Sequence, residues 1–175
     1  MSDQKRLFFA LPLPAELQQN IIEWRAATFA PDAGRPIAAA NLHITLAFLG
    51  DVSAQKQRTL SALAGRISQP AFTLHLDDAG HWPRSQVVWL GSRQRRAACC
   101  SSRISARAGG AQRLSTSAQP FHPHVTLLRN AQHPVRLPPP GFGWALAARE
   151  FVLYESRFEK GRTRYQPLER WSLNP

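Results

Sequence analysis

Acidic side chains are scarce in this chain: 11 Asp and Glu stand against 22 Lys and Arg, a formal charge of +11. That imbalance points toward a polyanionic partner such as RNA, whose phosphates attract Lys and Arg in a salt-dependent way. Part of the excess is local, because Arg93, Arg95, Arg96, Arg103, Arg107 and Arg113 share one window that reads as a solvated segment. Cysteine is rarer still. Cys99 and Cys100 are adjacent, which neither builds a disulfide framework nor matches zinc-ligand spacing, so free thiols are expected. Although 43% of the residues are hydrophobic, no run approaches the roughly 18 to 20 apolar residues that span a bilayer. Lys5 and Arg6 precede a short apolar run from Leu7 to Leu13, but Pro12 and Pro14 interrupt it and no small-residue cleavage site closes it. The expectation is a soluble, cytoplasmic, monomeric protein without a membrane partner, with residues 1–175 forming a single domain large enough for a real core.

What the chain does contain is a short pattern that occurs twice. His43-Ile44-Thr45-Leu46 and His124-Val125-Thr126-Leu127 both read His-x-Thr-x with apolar residues between, 81 positions apart (124 minus 43). In a β-strand, residues i and i+2 share a face, so each copy offers one imidazole and one hydroxyl together while its apolar residues point the other way. An imidazole can give or take a proton at neutral pH, and two can serve as acid and base across one reacting centre. The Thr hydroxyl supplies a donor for an oxyanion. Two such strands brought face to face would grip a phosphodiester from both sides. One copy alone would be ordinary on a half-buried strand; a repeat in two apolar strands favours function. His122 lacks a Thr two residues on, and Pro123 holds it in an extended approach, so it is the bystander. His75 and His81 also lack that partner and read as solvated residues, on a strand and in a turn respectively.

Along the chain, Arg6 to Leu11 reads as a first strand. Pro14 opens a helix from Ala15 to Phe29 with Leu17, Ile21, Ile22 and Trp24 on one side, ended by the Pro31 to Pro36 loop. A strand from His43 to Leu49 is closed by Gly50. Ser53 is a good N-cap for a second helix with Leu60, Leu63, Ala64 and Ile67 at helical spacing, running up to Pro70. Phe72, Leu74 and Leu76 alternate as a strand does, and Gln86 to Leu90 forms another. Residues 93 to 119 show poor periodicity. His133 and Pro138 to Pro140 read as a surface connection. Phe151 to Phe158 and Tyr165 to Leu173 read as closing strands around a tight turn at Lys160-Gly161-Arg162. This order suggests an α+β fold, mostly antiparallel, in two similar halves.

With these residues in hand, the chain resembles the two-histidine phosphoesterase superfamily, and more closely the bacterial RNA 2′,3′-cyclic phosphodiesterases, also called 2′-5′ RNA ligases. The resemblance runs over nearly the whole length. It is carried by Arg6 to Ala10, Asn41 to Gly50, Val88-Trp89-Leu90, Pro123 to Arg129, and Gly161 to Tyr165. It implies two pseudo-symmetric lobes, each an antiparallel sheet with outer helices, around a cleft where the two motifs face each other. It implies no metal and no nucleotide cofactor. The implied reaction opens RNA terminal 2′,3′-cyclic phosphates to 2′-phosphates, with ATP-independent 2′-5′ joining as the reversible counterpart. The implied partner is RNA with 2′,3′-cyclic phosphate ends, tRNA fragments among the candidates.

The resemblance assigns His43 as acid and His124 as base, an order the joining direction exchanges. Thr45 and Thr126 are expected to donate to non-bridging oxygens; Arg129 is expected to balance charge, the alternative being a solvated strand-end residue, and Phe48 either stacks on a base or belongs to the core. Arg129 stands at odd separation from Thr126, so a bend or bulge is needed to bring it to the site. The chain departs from the family at residues 93 to 119, where Ser, Arg and paired Cys replace an amphipathic helix, as if the reading frame were lost locally and regained before Pro120. The alternative is a non-catalytic module that binds an RNA terminus with the same residues, although binding alone does not need two proton-transfer groups. A metal-dependent phosphoesterase ranks last, since neither motif contains a carboxylate.

Overall fold

The computed structural model describes residues 4–94, 103 and 122–175. Cys99, Cys100 and nearly all of the irregular stretch, with the frame-loss expectation attached to it, lie outside the described residues. β1 (Lys5–Pro12) is buried from Leu7 to Leu11, which suits a strand flanked on both sides. α1 (Ala15–Thr28) starts just after Pro14 and buries Leu17, Ile21 and Arg25, a stripe at i, i+4 and i+8. The short β2 (Arg35–Pro36) and a single 3-10 turn lead into β3 (His43–Val52). Before α2 (Ala54–Ala64), the Ser53 hydroxyl accepts the Lys56 N–H at 3.2 Å, the expected cap. The helix ends at Gly65 and not at Pro70; Ile67 reaches the core from the non-helical segment beyond.

Next come β4 (Phe72–Leu76), β5 (Asp78–Trp82), β6 (Val87–Gly91), β7 (His124–Arg129), β8 (Trp144–Ala148), β9 (Glu150–Glu159) and β10 (Arg162–Ser172). The turn between β9 and β10 is Lys160-Gly161, both at positive φ (50° and 75°), the two-residue geometry that matches strand twist. His133 and Pro138 to Pro140 lie in an exposed connection as expected, apart from a half-buried Pro138.

One antiparallel sheet runs β10-β9-β1-β3-β7-β6-β5, with β2 also on β7, while β4 and β8 pair separately. The α+β expectation stands. The group carrying His43, β10-β9-β1-β3, draws on both ends of the chain. Between the groups the register is a single Cα pair, Ile44 with Val125, whereas β1 and β3 match along the whole of β1. Both residues of that pair are fully buried and belong to one core with Phe9, Ile21, Leu90 and Phe151.

Three strands escaped the sequence reading: β2, β5 and β8. His81, expected in a turn, lies inside β5, with a ring nitrogen 3.1 Å from the Ala131 carbonyl. Ala79-Gly80-His81 lacks the alternation that marks a strand because the Trp89 ring lies over Gly80. A Cβ there would come within 2.1 Å of it. His75 is exposed on β4, as expected.

Candidate active site

Since Ile44 and Val125 face each other in the core, the neighbouring residues of both strands turn to the opposite side of the sheet. Ile44–Val125 is the single registered pair, and antiparallel counting from it turns Thr45 toward His124 and His43 toward Thr126 (45 plus 124 and 43 plus 126 both give 169, as 44 plus 125 does). The two His-x-Thr pairs are thus related by a local two-fold axis through the Ile44–Val125 pair.

Each imidazole is clamped the same way. His43 Nδ1 lies 2.7 Å from the Asn41 carbonyl, and His124 Nδ1 lies 2.8 Å from the His122 carbonyl. A carbonyl only accepts, so both Nδ1 atoms carry the proton and both Nε2 atoms are left for chemistry. His43 Nε2 lies 2.8 Å from Thr45 Oγ1, whose hydroxyl donates to it while the ring is neutral. His124 Nε2 makes no hydrogen bond to a described residue.

Aromatic rings wall each imidazole. Phe8 lies 4.9 Å and Tyr165 5.1 Å from the His43 ring, with Tyr154 behind them at 6.5 Å. Trp82 stands edge-on to His124 at 4.6 Å. Burial pushes His43 down to about 4, reinforced by the positive charge of Arg129 and by His124, while the Asn41 carbonyl opposes the change. Burial also lowers His124, with His122 adding to the effect and the His122 carbonyl opposing it. Both rings are therefore neutral at pH 7.

Two of the expected binding residues reach the site by a device that alternation does not reveal. In β7, Thr126 pairs with Trp89 but Leu128 pairs with Val88, so Leu127 is an extra, bulged residue. Leu127 and Leu128 are both buried, and Arg129 returns to the site face. The bend expected at Arg129 is this bulge. In β3, Thr45 pairs with Ala10 but Ala47 pairs with Phe9, which makes Leu46 the extra residue. Phe48, which alternation from Ile44 and Leu46 would bury, is instead 58% exposed. Phe48 and Arg129 each stand five residues after their histidine, behind equivalent bulges.

A cavity of about 360 Å³ is lined by His43, Thr45, Phe48 and Arg129 together with Arg6, Phe8, Phe158 and Tyr165. His124 and Thr126 do not line it; they adjoin it across the β3–β7 register. The Arg6 guanidinium lies 5.1 Å above the Phe48 ring. Arg157 on the same wall is paired with Glu155 and Glu159. Among the described residues Arg6 and Arg129 have no carboxylate partner, which leaves their charge available to an anion.

The sequence model described as LigT like Phosphoesterase matches residues 11–89. The RNA 2′,3′-cyclic phosphodiesterase of Escherichia coli (strain K12) is 58% identical over 99% of both chains. The chain belongs to this family. Its fold superposes on the crystal structure of E. coli LigT complexed with phosphate with a TM-score of 0.90, at 56% identity over 99% of this chain and 100% of that one. A crystal structure from Thermus thermophilus, at 27% identity, gives a TM-score of 0.77 over 96% of this chain and 97% of that one.

Within this LigT-like chain, sequence reasoning missed the aromatic walls. Phe8, Tyr154 and Tyr165 around His43, and Trp82 against His124, lie on strands other than those carrying the motifs. The available signal was the five Trp and two Tyr, of which Trp82, Tyr154 and Tyr165 contact a motif histidine. Trp89 packs on both Trp82 (5.2 Å) and His122 (4.6 Å), which also touch each other (5.6 Å), and so braces the ring beside His124.

Proposed function

We propose that this protein is an RNA 2′,3′-cyclic phosphodiesterase that opens a terminal cyclic phosphate to a 2′-phosphate. The observation that carries the reading is the local two-fold meeting of two His-x-Thr pairs, each with its imidazole fixed in the same tautomer. In the reaction, His124 Nε2 takes a proton from water as the oxygen attacks phosphorus in line. The bond to the 3′ oxygen breaks, and His43 delivers a proton to that oxygen. A phosphodiester anion lodged beside His43 offsets the repulsion from Arg129 and His124 and favours the protonated ring that an acid must be. Thr45 and Thr126 donate to the non-bridging oxygens, Arg129 balances their charge, and Phe48 stacks on the terminal base. With a 5′-hydroxyl RNA in place of water, the same geometry gives a 2′-5′ linkage without ATP. The two groups of strands work as one bilobal domain, monomeric and cytoplasmic, and ends of RNA such as tRNA fragments are the substrates.

The test offers an oligonucleotide ending in a 2′,3′-cyclic phosphate, with EDTA present, and identifies the product. A 2′-phosphate is expected. Loss of turnover in EDTA, or a 3′-phosphate product, overturns the reading. His43→Ala and His124→Ala should each cost ~10² to 10⁴ in rate while still binding the product. Binding without turnover by the unaltered protein would favour the RNA-terminus module instead.

A further inference from the structure

Beyond Arg129 the site opens into a second cavity of about 490 Å³, whose wall includes Arg35, Arg129, Arg162, Phe158, Asn41 and Tyr165. Arg129, Phe158 and Tyr165 also line the first cavity, so the two adjoin along these residues. Arg35 pairs directly with Arg129 across β2 and β7, which sets two guanidinium side chains on one face. Like charges directly opposite one another cost stability unless something compensates them. Among the described residues, Arg35, Arg129 and Arg162 make no ion pair and no side-chain hydrogen bond.

The groove is nevertheless built firmly. Gly34 lets the chain lie against β7, since a Cβ there would come within 2.8 Å of the Arg129 carbonyl. The Ile37 N–H donates to the Leu127 carbonyl at 3.0 Å, and Asn41 Nδ2 donates to the Thr163 carbonyl at 2.9 Å, tying the start of β10 to the other wall. Phe158, 77% exposed, stands between the cavities. An apolar ring this exposed next to unpaired arginines is the combination that holds single-stranded nucleic acid, stacking with a base while cations take the backbone.

We propose that this groove holds the RNA strand one nucleotide upstream of the cyclic phosphate, with Arg35 and Arg162 on the phosphate that joins the last two nucleotides and Phe158 against the penultimate base. The proposal rests on the phosphodiesterase reading. It makes the preferred substrate an RNA chain and not a mononucleotide. A nucleoside 2′,3′-cyclic monophosphate has no such phosphate and leaves the groove empty.

The experiment compares Arg35→Ala, Arg162→Ala and the double variant on two substrates, a trinucleotide ending in a 2′,3′-cyclic phosphate and adenosine 2′,3′-cyclic monophosphate. Each single variant should lower kcat/KM on the trinucleotide about tenfold, as loss of one charge-assisted contact at an exposed site does. On the mononucleotide kcat/KM should stay unchanged. Each substitution should also make the salt dependence on the trinucleotide shallower, by a log-log slope of about 0.7. Equal losses on both substrates, or no loss on either, overturn the groove. Should the wild type turn over neither substrate, the catalytic reading fails by itself. Fluorescence anisotropy with a labelled trinucleotide 2′-phosphate then still decides the groove: weaker binding by the double variant supports it, and unchanged binding overturns it.

Discussion

Replacing His43 by Gln changes how stability depends on pH, and the size of the change follows from the burial of the ring. An imidazole free in the unfolded chain titrates near 6.5, whereas in the folded protein burial pushes His43 down to about 4. Between those values the unfolded chain binds a proton that the folded chain refuses. Stability therefore rises with pH across that window, and is lost as pH falls from 6.5 toward 4. Below about 4 both states are protonated and the loss stops growing. At ~1.36 kcal/mol for each tenfold change in proton activity, the window amounts to about 3 kcal/mol, a large part of the ~5 to 15 kcal/mol that holds a domain together. The assay is urea unfolding of wild type and His43→Gln at pH 7 and pH 4. Carboxylates and His124 titrate in both proteins, so they cancel in the difference. Wild type should lose about 3 kcal/mol more than the variant on acidification. Equal losses would mean that His43 is not held neutral by burial.

His122→Ala keeps the carbonyl that accepts from His124 Nδ1, so turnover at the optimum should stay within about twofold of wild type. Its acidic limb should move to higher pH because the charge that lowers His124 is gone; an inactive variant would show that the side chain itself is required. Arg129→Ala should lower kcat/KM roughly 10- to 100-fold, the worth of a charge-assisted contact, and let the NMR midpoint of His43 rise; unchanged kinetics would reduce Arg129 to a strand-end residue. Arg25→Met removes donors to the Ile37 and Leu127 carbonyls, at 2.7 and 3.2 Å. The loss should cost roughly 2 to 4 kcal/mol of stability and lower kcat/KM through Arg129, so the two losses should be much less than additive in a double-mutant cycle. Full additivity would separate Arg25 from the site.

What could be read from the residues alone follows how local the signal was. β1, α1, β3, β9 and β10 were visible because apolar spacing, Pro14 and the Lys160-Gly161 turn all act within a few residues. The end of α2 was misjudged because Ile67 continues the helical spacing while packing on the core from an irregular segment. β5 and β2 were invisible for a different reason. Gly80 is small because a tryptophan from β6 lies over it, and Arg35-Pro36 is extended because β7 lies beside it. Neither cause is present in the segment's own sequence.

The same distinction runs through the site. His43, Thr45, His124 and Thr126 could be found because the side-chain period of two brings each pair together without outside help. Beyond the Thr that rule gives the wrong face for Phe48 and Arg129, since at the leucine after each Thr the register with the partner strand shifts by one residue. A bulge costs a ladder position, so it persists where other contacts hold it. At Leu127 the displaced carbonyl is taken by the Ile37 N–H and by the buried Arg25, which α1 brings from 102 residues away in sequence. At Leu46 the resumed ladder from Ala47 to Phe9 holds the register, and Gly50, at a φ of 73°, allows the second irregularity that returns β3 to pairing with Leu7. The proposed catalytic pairs can thus be set by a strand's own sequence, whereas the proposed binding residues beside them, Phe48 and Arg129, depend on neighbours that decide where the strand slips.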